Sequence, residues 1–191
     1  MKVAMYYRNN DVRVEEMPVP KIGKGEMLVK VMASGICGSD VMEWYRIKKA
    51  PRVLGHEITG EIVETGEGVK NYKIGDRVFV SHHVPCNACR YCLSGYHTAC
   101  ETLHKTNYDP GGFAEYLRVP EINVKSGVYI LPENMSYEEG TFIEPHGVHS
   151  ERPEGRKPES RTKRSCNWQR DFRATSYKYG KECGSGTDYC N

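Results

Sequence analysis

Apolar and polar residues alternate in short bursts along the first 145 positions. Met27 to Val31, Glu61 to Val63 and Arg77 to Val80 read with a period near two, and glycines punctuate the chain at Gly66, Gly68, Gly75, Gly111 and Gly112. Alternation bounded by turn residues marks strands with one buried face. Helical periodicity is brief. One predicted stretch runs from Ser39 through Arg46, with Ser39 or Asp40 capping its first turn; another covers Ser136 to Gly140, where Ser136 and Glu139 match a capping box. Many short strands with few helices predict a mainly β domain shaped as a distorted barrel.

From His146 the pattern stops. Residues 146 to 191 contain Val148 but no leucine, isoleucine or methionine, and ten Lys/Arg stand against six Asp/Glu. Such a segment has too little apolar surface to offset the entropy of ordering its backbone. The expected organisation is therefore one domain over 1–145 and an irregular tail over 146–191, disordered or translated out of frame. Gly184-Ser185-Gly186 begins a G-x-G only superficially, because Gly186 lies five residues from the last and neither strand nor helix pattern flanks it. No dinucleotide-binding Rossmann domain is expected in these 191 residues.

Charge narrows the partners. The net charge of +2 is small, and Glu154, Glu159 and Asp171 dilute the basic tail, which argues against nucleic acid. No apolar run approaches a membrane span, and Met1 to Arg8 lacks the apolar core of a signal peptide, so a cytoplasmic protein without membrane partners is expected.

Four of the eight cysteines change the picture. Cys86, Cys89, Cys92 and Cys100 read C-x2-C-x2-C-x7-C, a spacing that lets four thiolates converge on one ion. Zinc is favoured over an iron–sulfur cluster, since the last gap exceeds that of the bacterial ferredoxin run and Cys100 precedes Glu101, not proline. The intervening Asn87, Ala88, Arg90, Tyr91 and Leu93 offer little apolar mass, so the ion is expected to hold the lobe. A second constellation is sparser: Cys37 in Gly-Ile-Cys-Gly-Ser-Asp, His56 with Glu57, and Glu144 before Pro145. Its spacing alone does not decide for metal. His82, His83, His97 and His104 are expected to be surface polar groups beside the cysteine lobe.

Taken in order, Gly35-Ile36-Cys37-Gly38-Ser39-Asp40, Gly55-His56-Glu57 with Gly60, Gly75-Asp76-Arg77-Val78, the four-cysteine run and Gly111-Gly112-Phe113-Ala114-Glu115-Tyr116 resemble the zinc-containing medium-chain alcohol and polyol dehydrogenases. The resemblance covers residues 1 to about 145. It implies a GroES-like β-barrel and two zinc ions, one catalytic at Cys37, His56 and Glu57 or Glu144, the other structural at Cys86, Cys89, Cys92 and Cys100. Glu144-Pro145 resembles the sorbitol, butanediol and threonine dehydrogenase branch, where ethanol-type members carry a cysteine. The implied partner is a small secondary alcohol or polyol, with NAD or NADP as hydride acceptor in the intact, oligomeric family.

Zinc chemistry would acidify the substrate hydroxyl. Ser39, two residues beyond Cys37, then reads either as a proton relay or as a helix cap, with Glu57 the second candidate catalytic group. Family members often carry a relay histidine five residues after the zinc cysteine, whereas Met42 stands here. Without a cofactor domain the chain is expected to bind zinc but not to turn over. The competing reading is a noncatalytic zinc-binding interaction module.

Overall fold

A computed structural model describes residues 1–150, with side-chain surroundings through 147; the remainder of the expected tail, 151–191, lies outside the described residues. Eight strands form: β1 (Lys2–Arg8), β2 (Asp11–Glu16), β3 (Met27–Gly35), β4 (Arg52–Val53), β5 (Glu57–Thr65), β6 (Arg77–Val80), β7 (Tyr116–Val119) and β8 (Val128–Ile130). They make a three-stranded sheet in the order β2-β1-β4 and a five-stranded sheet in the order β7-β3-β5-β6-β8, with every pairing antiparallel. The segment before β7 links the two sheets. Ala4 N–H donates to the Phe113 carbonyl at 2.8 Å, Glu115 N–H to Lys2 at 3.1 Å, and Val31 N–H to Glu115 at 2.9 Å.

The alternation seen in the sequence is what fills the core. Met27 and Val29 of β3, Ile58 and Ile62 of β5, Val78 and Val80 of β6 and Leu117 and Val119 of β7 are all fully buried in one cluster. Burying each such side chain contributes about 1.5–3 kcal/mol. The other face of β5 is covered as well. Thr59 is buried, and its hydroxyl donates to the Tyr137 carbonyl at 2.7 Å.

Among the described residues six α-helices of one or two turns join or follow the strands: α1 (Glu43–Arg46), α2 (Arg90–Leu93), α3 (Glu101–Lys105), α4 (Glu121–Ser126), α5 (Tyr137–Gly140) and α6 (Ile143–Ser150). The predicted capping box at Ser136 is present, with Glu139 N–H donating to Ser136 Oγ at 3.1 Å and Ser136 N–H to Glu139 Oε2 at 2.9 Å. The predicted helix from Ser39 is instead a 3-10 turn over Gly38–Val41 followed by α1. Its cap is Cys37, not Ser39 or Asp40: the Cys37 sulfur accepts the Ser39 N–H while Asp40 accepts the Cys37 N–H. Helix α6 runs across the expected boundary at Pro145, which is its third residue and needs no intrahelical N–H there.

Close approach of β3 and β5 depends on Gly60. A Cβ there would overlap the Lys30 carbonyl oxygen and Val29 Cγ1, whereas one on Gly38 meets nothing within 4 Å. Gly60→Ala is therefore expected to cost about 1–3 kcal/mol in urea unfolding, and Gly38→Ala to stay within about 0.5 kcal/mol of the parent.

Candidate metal centre

Two clusters of metal-ligating side chains occur among the described residues, and each is built by local backbone geometry. The first sits where β3 ends and β5 begins. Because the strands are antiparallel and Gly35 pairs with Glu57, the residues just past one strand face those just before the other. Cys37 follows Gly35 by two positions, and His56 precedes Glu57. Gly35 also leaves room for chemistry, since a Cβ there would overlap Glu57 Oε2. Gly55 makes the turn into β5 at φ +90° against Phe113, a conformation open to glycine. The result is that one ligand atom each from Cys37, His56 and Glu57 lies within 4.8 Å of the others.

Asp40 organises this trio. It is buried, its Oδ2 accepts the Cys37 N–H at 3.2 Å, and its Oδ1 lies 3.5 Å from His56 Nδ1. Arg46 Nη2 reaches the same Oδ1 at 3.1 Å. The sequence suggested Asp40 only as a cap; its spacing three residues after Cys37 is the signal that could have found it. Burial pulls the His56 imidazole down, but the hydrogen bond and charge of Asp40, with Glu144 and Glu57 behind it, outweigh that and raise its pKa. Glu57 is raised by burial and by Glu144 against the opposing pull of His56. Glu144 is likewise raised by burial, His56 opposing it. It faces His56 electrostatically but stands outside the convergent trio.

Ser39 is bound twice by Arg46. Its Oγ accepts from Arg46 Nη2 at 2.8 Å and its carbonyl from Arg46 Nε at 2.9 Å. Met42, at the relay-histidine position, is exposed.

His82 departs from the surface role expected of it. It is only partly exposed, its Nδ1 is buried without a hydrogen-bond partner, and its ring lies 4.9 Å from that of His56 and 4.0 Å from that of His83. The buried amide of Asn123 fixes its loop by donating to the Ser81 and His82 carbonyls at 2.9 and 3.0 Å. The missed signal is position: His82 follows a wholly buried strand end by two residues. His83, His97 and His104 are exposed as expected.

The second cluster is the cysteine lobe. The sulfurs of Cys89 and Cys92 are 3.5 Å apart, those of Cys100 and Cys86 3.7 Å, and those of Cys86 and Cys92 3.9 Å. These separations are too long for disulfides. They match the edge of about 3.8 Å expected for a tetrahedron with metal–sulfur bonds of about 2.3 Å, so the donor set fits zinc. Asn87 turns the chain at φ +56°, and Cys89 N–H donates to Cys86 Sγ at 3.3 Å. N–H groups of Cys86 and Leu103 bring the Cys100 thiol down to about 6, while burial pushes Cys92 up to about 12. Tyr91, Leu93 and Tyr96 are exposed, leaving the lobe little apolar packing.

Comparison with known proteins agrees with this geometry. Residues 23–129 match the family described as alcohol dehydrogenase GroES-like domain. Sorbitol dehydrogenase of Bacillus subtilis (strain 168) is 37% identical over 161 residues, covering 78% of this chain and 44% of that protein. L-threonine 3-dehydrogenase of Caldanaerobacter subterraneus subsp. tengcongensis is 39% identical over 157 residues, with the same 78% and 44% coverage. The crystal structure of galactitol-1-phosphate dehydrogenase from Escherichia coli superposes with a TM-score of 0.66 at 36% identity, over 78% of this chain and 43% of that one. The chain thus spans less than half the length of these relatives.

Two outcomes follow from the geometry. Chelation, or Cys100→Ser, should speed amide exchange across residues 85–106 while the five-stranded sheet keeps its protection. Burial, with the charges of His83 and His56, lowers the pKa of His82 to about 3. A base with a depressed folded pKa contributes stability above its unfolded value that is lost as pH falls toward the folded one. Unfolding stability should therefore drop from about pH 6.5 to pH 3 less steeply in His82→Phe than in the parent.

Proposed function

The chain belongs to the zinc-containing medium-chain alcohol and polyol dehydrogenase family, of which it covers the GroES-like N-terminal part, and from that premise we propose that it carries the metal-binding half of an NAD(P)-dependent dehydrogenase acting on a secondary alcohol or polyol. The observation that carries this reading is the contrast between the two clusters. Four thiols make a closed set in the lobe, whereas Cys37, His56 and Glu57 offer three ligands and leave a fourth position for substrate.

Each side chain then has a task. Cys37, His56 and Glu57 would hold the catalytic zinc, with Glu144 the second carboxylate at hand. Asp40 Oδ1, 3.5 Å from His56 Nδ1, would hold the proton on that nitrogen and leave Nε2 for the metal. Zinc bound there would supply Lewis acidity that lowers the pKa of a substrate hydroxyl. With one thiolate in place of several, more positive charge stays available to that hydroxyl, which favours a polyol over a simple alcohol.

Ser39 is suited to move the proton outward. Arg46 has no acceptor, so its bond to Ser39 Oγ occupies one lone pair and leaves the hydroxyl one lone pair to receive a proton and its own hydrogen to give away. Met42 cannot take that proton, so a proton leaving Ser39 would have to pass to solvent. Among the described residues no helix is long and apolar enough to cross a membrane. A noncatalytic zinc module would need the lobe alone and gives no reason for the open trio.

Metal content decides the matter. The 191-residue chain should hold two zinc ions, Cys37→Ala one, and that remaining ion should resist exchange; a parent chain with a single zinc would refute the proposal.

A further inference from the structure

We propose that Arg46 is a positioning residue for the open metal site, setting its affinity through Asp40 without touching a ligand; this rests on the reading of Cys37, His56 and Glu57 as zinc ligands. One carboxylate secures two of those ligands at once, since Asp40 Oδ2 takes the Cys37 backbone N–H and Oδ1 faces His56 Nδ1. That arrangement puts a carboxylate with 4% side-chain exposure in a place where water cannot solvate it. Arg46, itself 14% exposed, is the cation against it.

The guanidinium is over-determined. Its Nε donates to the Ser39 carbonyl at 2.9 Å, and its Nη2 donates to Ser39 Oγ at 2.8 Å and Asp40 Oδ1 at 3.1 Å. Its other face covers the Tyr45 ring at 4.9 Å. Arg46 lies seven positions beyond Ser39, so the 3-10 turn and α1 return the side chain over the turn that begins at Cys37. A planar fork can make these contacts together; a lysine ammonium is a point charge and cannot. Without the guanidinium, the Asp40 carboxylate is a buried charge lacking its partner and swings toward water. Both ligands it orients are then released from their geometry.

The two clusters of the chain allow a selective test. Zinc affinity of the full 191-residue chain is measured by competition with a chromophoric chelator, and cobalt(II) spectra follow each site's thiolate and ligand-field bands. Arg46→Met is expected to weaken the open site about 10-fold, the lower end for outer-shell partners, and to shift its cobalt bands, with the four-thiolate site unchanged. Arg46→Lys should recover part of the loss. Two ions held at parental affinity by Arg46→Met would overturn the proposal, as would equal weakening of both sites, which marks a general loss of structure. Should Arg46→Met fail to fold, Arg46→Lys decides: intermediate affinity at the open site supports the role and parental affinity refutes it. A parent chain binding only the four-thiolate ion removes the catalytic-metal reading itself, and this proposal with it.

Discussion

The pairing of β3 with β5 is the constraint on which the rest depends. Its register sets Gly35 opposite Glu57, and that places the chain leaving one strand beside the chain entering the other. Cys37 and His56 are nineteen positions apart in sequence and share a site only through this ladder. A slip of one residue would turn Glu57 to the opposite face and dissolve the trio. The fully buried Met27, Val29, Ile58 and Ile62 hold the register, because any slip exposes them. Glycines at 35 and 60 remove the side chains that would force the strands apart.

A core that brings carboxylates together must also neutralise them. Asp40 and Glu57 are both buried, and Glu144 is drawn in behind them by the connection from α5 to α6. That connection is itself anchored, because Thr59 on β5 binds the Tyr137 carbonyl at the start of α5. The same strand therefore presents Glu57 at its first residue and tethers another carboxylate from its third. Arg46 and the raised His56 supply part of the opposing charge. A divalent ion among Cys37, His56 and Glu57 would supply the rest, so the electrostatics of the protein and the chemistry of its family point the same way.

The cysteine lobe answers to a different logic. Its four sulfurs converge within fifteen residues by way of the Asn87 turn, helix α2 and a 3-10 turn over His97–Ala99, with little help from the sheets. Its spacing is local, and for that reason it could be read directly from the chain. The same locality explains why the helices inside it were not anticipated: each is a single turn, too short to carry a hydrophobic period.

The central strands β3, β5 and β6, the capping box at Ser136, the four-thiol cluster and the family were legible in the sequence alone, because each rests on residue order over short spans: an alternation, an i to i+3 reciprocity, a ligand spacing, a series of motifs. Tertiary structure decided what spans cannot encode. It took the cap from Ser39 and Asp40 and gave it to Cys37, made Asp40 the bridge between Cys37 and His56, and drew Arg46 onto it. It also carried His82 from the expected surface to the side of His56. Each of these depends on which groups burial forces together, and burial is a property of the packed sheets, not of any one segment.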